Sequence, residues 1–280
     1  MWRMRVVHST GYAYESPVTA SFNEARLTPR SDGRQNVILR RIETVPATRS
    51  YRYTDYWGTV VTAFDLHAPH TEFTVTASSV VETERPEMSV TTFGWEQLNS
   101  EAVVDRYDEL LRPSPYAPAN RTLATAGRRI AKAHEPREAV AAAAQWVRDE
   151  LELLPRGGSP HEGSAIEALG QHKGSCPDFA HLTLILLRSM GIPSRYVSGY
   201  LHPKGNAAIG KTVAGHRHAW VQAWTGSWRD VDPTTAAEIT EQHVSIGVGR
   251  DYHDIPVLNG IYSGAGATDL DVVVELCRLA

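Results

Sequence analysis

Cysteine is nearly absent from this chain: among 280 residues only Cys176 and Cys277 carry thiols, and they lie far apart. Two thiols so sparse cannot form the disulfide framework of a small secreted domain, and a reducing compartment is the expected setting. Long apolar runs are missing too. No stretch approaches the roughly 18 consecutive apolar residues of a spanning helix. The opening MWRMRVVH places Arg3 and Arg5 inside its apolar run, and no apolar core with a small-residue cleavage site follows. A soluble, cytoplasmic protein is expected. Excess charge of one sign is also lacking, since 28 Lys+Arg against 32 Asp+Glu leave a net charge of −4. Phosphate binding rests on clustered Lys and Arg, so neither nucleic acid nor an anionic membrane is expected as a partner. The chain shows no internal repeat and no low-complexity segment.

What is present divides in two. Up to Thr83 the segments MRVVHST, YAYES, NVILRRIETV, VVTAFDL and TEFTVTASSVVET are rich in Val, Thr, Tyr and Phe and partly alternating. Pro17, Pro29, Pro46, the Asp32-Gly33 pair and Trp57-Gly58 punctuate them as turns. Short strands without helical period predict an antiparallel β-sandwich or open barrel. Composition changes across Arg85 to Ser100, which sets an N-terminal β-domain over 1–88 and a second domain over 89–280.

The second domain begins with helices. Short ones are predicted over 102–111, ended by Pro113, Pro115 and Pro118, and over 122–133. Pro136 suits a first helical residue, and the run after it puts Val140, Ala143, Ala144, Val147 and Leu151 on one stripe. A Gly- and Ser-containing loop over 155–163 leads through SAIEALGQHKGS to CPDFAHLTLILLRSMGIP. There Phe179, Leu182, Leu186 and Met190 keep helical spacing, and Gly191 and Pro193 close the helix. The result is a buried helix with Cys176 in its first turn. SRYVSGYL, HAWVQAWT, SWRDVDP and the terminal DLDVVVELCRL read as strands.

Cys176 is followed by Pro177, whose missing N–H would have been unpaired in a first helical turn anyway. A thiol at the positive end of a helix dipole is favoured as thiolate, and the unpaired N–H groups there can hold an oxyanion. His218 lies in GHRHAWVQAW, where it shares a strand face with Trp220 and Gln222. Asp232 ends the next strand, before Pro233. If the two strands are antiparallel neighbours joined through Thr225-Gly226-Ser227, His218 and Asp232 come out near opposite each other. One imidazole nitrogen can then face the thiol while the other donates to the carboxylate. Singly these residues are ordinary: a buried inert thiol, a surface histidine, a turn acid. A thiol on a helix N-terminus, followed by a strand pair presenting His and then Asp, is the papain-like order of parts.

Those residues carry a family resemblance. GSCPDFAHLTLILLRSMGIPSRYVSGYL, HRHAWVQAW and WRDVDPTT resemble the transglutaminase-like core of bacterial candidate cysteine proteases. VVHSTGYAYESPV, NEARLTPR, DYWGTVVTAFDL and TEFTVTASSVVE resemble the bacterial transglutaminase N-terminal β-region. The resemblance implies Cys176 as nucleophile, His218 as base and Asp232 as the acid of a triad. It departs at Gln222, where Glu or a similar polar residue is usual, and at Thr59, where Asn is usual after Gly58. The segment GSAIEALGQHKGS before Cys176 holds no tryptophan of the kind that serves animal transglutaminases as an oxyanion donor, which leaves the Cys176 N–H.

The expectation is an α+β protein: the N-terminal β-domain, then a papain-like core whose Cys-bearing helix packs on an antiparallel sheet. It would attack peptide or protein amide bonds as a peptidase or amidase through a thioester acyl-enzyme. Acyl transfer to an amine, or a catalytically dead interaction module, are the alternatives. A zinc site of His216 and His218 with Cys176 competes, but the fourth ligand and second cysteine of such a site are missing, so neither metal nor cofactor is expected. Asp178 is read as a dipole partner of the helix, with His181 flanking the chemistry. Arg195 and Tyr200 are read as structural before substrate-binding, Trp220, Trp224 and Trp228 as core, and Cys277 as structural.

Overall fold

The structure is a computed structural model that describes residues 1–86, 91–154, 164–264 and 266–280. Two features expected from sequence, the domain boundary at 88/89 and the loop over 155–163, lie outside the described residues. The chain opens with strands β1 (Trp2–Val18), β2 (Ser21–Ala25), β3 (Gln35–Val45), β4 (Ser50–Thr54), β5 (Val60–Leu66) and β6 (His70–Thr83). Helices α1 (Trp95–Leu98), α2 (Glu101–Arg106), α3 (Asp108–Leu111), α4 (Arg121–Ala133) and α5 (Pro136–Glu150) follow. Then come β7 (Glu152–Leu153), α6 (Ala165–Gln171), β8 (Lys173–Gly174) and α7 (Cys176–Ser189). The chain closes with β9 (Ser194–Leu201), β10 (Thr212–Trp224), β11 (Trp228–Asp232), β12 (Ala237–Glu238), β13 (His243–Gly249), β14 (Leu258–Tyr262), β15 (Ala267–Asp269) and β16 (Val273–Arg278).

The N-terminal strands form a sandwich. β1, β6 and β3 pair antiparallel, and a second sheet in the order β14-β2-β5-β4 covers them. Alternation supplies the core between the sheets, where Tyr14, Val18, Phe64, Phe73 and Val75 are buried. Strands from the end of the chain complete this sandwich. β14 pairs with β2, β15 with one end of β1, and β16 with the other. β16 also pairs with the first residues of β10, so one antiparallel sheet runs from the N-terminal strands into β10, β11, β9 and β13.

The helices pack on that second part of the sheet. Val140, Ala143, Ala144 and Val147 of α5 are buried together with Phe179, Leu182 and Leu186 of α7 and with Ala219, Val221 and Ala223 of β10. From Asp178 to Arg188 every residue of α7 is buried, as its apolar run around the whole circumference demands. Its C-terminus closes with Gly191 N–H bonded to Arg188 O at 3.0 Å and Ile192 N–H to Leu187 O at 3.0 Å. Gly191 takes φ +78°, which costs a glycine little and a side chain much more. Among the described residues no helix is long and apolar enough to cross a membrane.

Candidate active site

The thiol is positioned by the start of α7. Ser175 is the N-cap, Cys176 the first helical residue and Pro177 the second. The buried Asp178 carboxylate accepts from the Ser175 N–H at 2.7 Å and from its hydroxyl at 2.6 Å. Asp178 therefore anchors the turn that presents Cys176, in line with its expected part at the helix end. The Cys176 N–H is among the first N–H groups of the helix, which have no intrahelical acceptor. Cys176 is partly exposed, whereas Cys277 is buried in β16, and both are free thiols.

β10 and β11 bring His218 and Asp232 together, by a register different from the expected one. Trp224 pairs with Trp228 and Gln222 with Asp230, so one step beyond the last pair Asp232 falls opposite Trp220 and diagonal to His218. The three-residue turn at 225–227 closes the hairpin later than an equal count back from each strand end assumes. Both residues still occupy one face, since diagonal neighbours two positions along share it. The imidazole spans the offset, with His218 Nε2 2.8 Å from Asp232 Oδ2 and both side chains buried. Cys176 lies close enough to His218 to act on the charge of its imidazole. With Nε2 committed to Asp232, Nδ1 is the nitrogen left for the thiol.

The electrostatics follow from this arrangement. Burial alone would lower His218, but the hydrogen bond and charge of Asp232, with the neighbouring Cys176, outweigh it and raise the imidazole to about 10. Burial alone would raise Asp232, but hydrogen bonds from His218, His243 and Thr234 hold the carboxyl well below its usual range. Its Oδ1 accepts the Thr234 N–H at 2.9 Å and hydroxyl at 2.7 Å. A buried carboxylate so surrounded by donors stays ionised and fixed in orientation.

His243, the first residue of β13, is the site residue that sequence reasoning missed. Its Nε2 lies 3.4 Å from Asp232 Oδ2. HVSIGVG does alternate, so the strand was detectable. Its partner β9 lies between it and β10, and nothing in the sequence links His243 to Asp232. The approach depends on Gly199, which is paired with His218. A Cβ there would meet Val244 O at 2.2 Å and the Trp220 ring at 2.6 Å. The bare glycine lets the indole lie over β9 and reach the His243 ring, 5.4 Å away edge-on. Gly199→Ala is expected to destabilise the fold by about 1–3 kcal/mol through overpacking. Urea denaturation measures this, and an unchanged midpoint would mean that both the indole and the β13 backbone at Val244 have room to shift.

The remaining candidates fall where bonding places them. His181 is buried between Tyr116 and Tyr196, with ring centroids at 5.4 and 4.9 Å, and accepts the Tyr252 N–H at 3.3 Å. Burial pushes it down to about 4, so it is a neutral packing residue. Tyr200 is buried and hydrogen-bonds His8 at 2.7 Å. Arg195 stacks 4.0 Å over Trp228 and donates to Gln222 Oε1 at 2.8 Å. Gln222 in turn donates to the partly buried Asp230 at 3.0 Å. An amide can join that cation to that anion, where a second carboxylate would face Asp230 directly. Trp224 packs with Tyr107 and Phe93. Among the described residues, the group with metal-ligand spacing is His218, Asp232 and His243, rather than His216 and His218 with Cys176.

Residues 4–82 match the bacterial transglutaminase-like N-terminal region, and residues 124–233 match the transglutaminase-like superfamily. An uncharacterized protein of Mycobacterium leprae is 68% identical over 280 residues, covering 100% of both chains. A protein-glutamine gamma-glutamyltransferase of Pseudomonas aeruginosa is 30% identical over 171 residues, which are 56% of this chain and 25% of that protein. The crystal structure of a candidate cysteine protease from Cytophaga hutchinsonii shares the fold with a TM-score of 0.78 at 22% identity, over 100% of this chain and 91% of that one.

Proposed function

The chain belongs to the transglutaminase-like superfamily, and on that premise we propose that it is a cysteine-nucleophile enzyme that cleaves amide bonds in peptides or proteins. Cys176 is the nucleophile, His218 the base and Asp232 the residue that orients His218. The observation that carries this reading is the single buried imidazole that is hydrogen-bonded to Asp232 through Nε2 and lies close enough to Cys176 to feel its charge. Two free thiols suit a reducing compartment, and the cytoplasm is the proposed location.

The thiolate attacks the amide carbonyl carbon, forming the C–S bond and pushing an electron pair onto oxygen, where the Cys176 N–H can donate to it. When the pair returns, the C–N bond breaks and the amine leaves with the proton held by His218. The thioester then remains. Water that loses a proton to His218 attacks it, the C–S bond breaks, and a carboxylic acid departs. A primary amine in place of water would give a new amide, the reaction named by the Pseudomonas relative. Hydrolysis is the preferred outcome, and amine transfer the second reading.

The test is the alkylation rate of Cys176 by iodoacetamide against pH, in wild type and His218→Ala. Reaction that persists well below the free-thiol value of about 8.5, and is lost in the variant, is expected of a Cys–His pair. An ordinary thiol profile in both proteins would sink the reading in favour of a dead binding module. Incubating a protein substrate with and without a fluorescent primary amine then separates the two acceptors. New carboxylates mean water, and a fluorescent adduct means amine.

A further inference from the structure

Asp232 serves two imidazoles. His218 and His243 both present Nε2 to Oδ2, at 2.8 and 3.4 Å, while Thr234 occupies Oδ1. The other nitrogen of His243 is committed as well, because Nδ1 accepts the Thr240 N–H at 3.1 Å. A backbone N–H can only donate, so Nδ1 carries no proton and the neutral ring has its proton on Nε2. That N–H is a donor aimed at the carboxylate. The same wiring argues against a metal held by these three residues. To coordinate through Nε2, His243 would have to carry its proton on Nδ1, where it would face the Thr240 N–H donor to donor.

We infer that His243 is a positioning residue of the active site: a neutral imidazole whose Nε2–H completes the donor set of Asp232 and leaves the positive charge to His218 alone. This rests on the triad proposed above. With Nδ1 accepting the Thr240 N–H, His243 cannot take up a second proton. The cation is therefore His218, whose Nδ1 is the nitrogen left for the thiol. Burial lowers the His243 pKa, Asp232 opposes that, and the charges of His218 and Arg34 lower it further. Asp232 and His218 face the ring from β11 and β10. Arg34, just before β3, donates to the His243 carbonyl at 3.2 Å, and Trp220 presents its ring edge.

The experiment combines a spectrum with two variants. In protein labelled with 15N-histidine, long-range proton–nitrogen correlation is expected to show His243 in the Nε2–H tautomer from pH 5 to 8, on the argument from its two fixed partners. His243→Leu is expected to slow alkylation of Cys176 at pH 6 by about tenfold or more, as loss of an orienting partner does. His243→Gln, which returns an N–H donor near the Nε2 position, should recover to within about threefold of wild type. A purely structural role would move the melting temperature without this split between Gln and Leu. An Nδ1–H or imidazolium His243, stoichiometric zinc lost in His243→Gln, or equal alkylation rates in all three proteins would overturn the inference. Should wild type itself show an ordinary thiol profile, the triad reading fails, and the tautomer spectrum alone decides the wiring of His243.

Discussion

Cys176→Ala is expected to lower amide cleavage by about 10⁴-fold or more, because the acyl-enzyme route needs the sulfur as its acceptor and the residue as a whole acts with His218. Stability should change little. Cys176 is partly exposed, and the bonds that hold the first turn run between Ser175 and Asp178. Alanine is also the best helix former. Cys176→Ser should fall nearly as far, because a hydroxyl does not ionise at the pH where a thiol does. The variant carries a second, independent signature. Cys176 is one of the neighbours that raise His218, so the imidazole should titrate at lower pH in Cys176→Ala, followed by proton NMR. Cleavage retained in Cys176→Ala would exclude the covalent mechanism. Cleavage lost without movement of the His218 titration would mean that thiol and imidazole are not paired in solution.

The legible parts of the site were those written into contiguous residues. α7 could be read because Phe179, Leu182, Leu186 and Met190 keep helical spacing and Gly191 and Pro193 end it. Cys176 at its start follows from Pro177. The pairing of β10 with β11 could be read from Thr225-Gly226-Ser227, but not its register, because a turn's composition does not say which pair closes the hairpin. Trp224 against Trp228 closes it, and that offset moves Asp232 two positions along. His243 was illegible for a different reason. Its contact with Asp232 depends on β13 pairing with β9 and on the space above Gly199, and neither partner is near it in sequence. The sandwich had the same difficulty. β14, β15 and β16 join strands more than two hundred positions earlier, a pairing that alternation can suggest for each strand but cannot assign between them.

Asp232→Asn carries the second large effect, about 10²- to 10⁴-fold in alkylation of Cys176 at pH 6 and in amide cleavage, as the wrong imidazole tautomer costs in related triads. Four donors converge on the carboxylate, from His218, His243 and the Thr234 N–H and hydroxyl. An asparagine that keeps its oxygen towards Thr234 turns its NH₂ on both imidazoles. His218 must then present a bare Nε2 and carry its proton on Nδ1, the nitrogen that should receive the proton of the thiol. The pH dependence of stability supplies the check. His218 has its folded pKa raised from 6.5 to about 10, so its contribution is complete below pH 6.5 and is lost as pH rises towards 10. Asp232 has its folded pKa depressed below 3.8, so its contribution is present above that pH and is lost as pH falls. The stability gap between wild type and Asp232→Asn is therefore expected to be widest between about pH 4 and 6.5 and to narrow on both sides. Urea denaturation at pH 3, 5.5 and 9.5 reads it. A gap that stays constant across the three would mean that the variant loses packing and hydrogen bonds but no ion pair, and His218 would then be neutral in the folded protein.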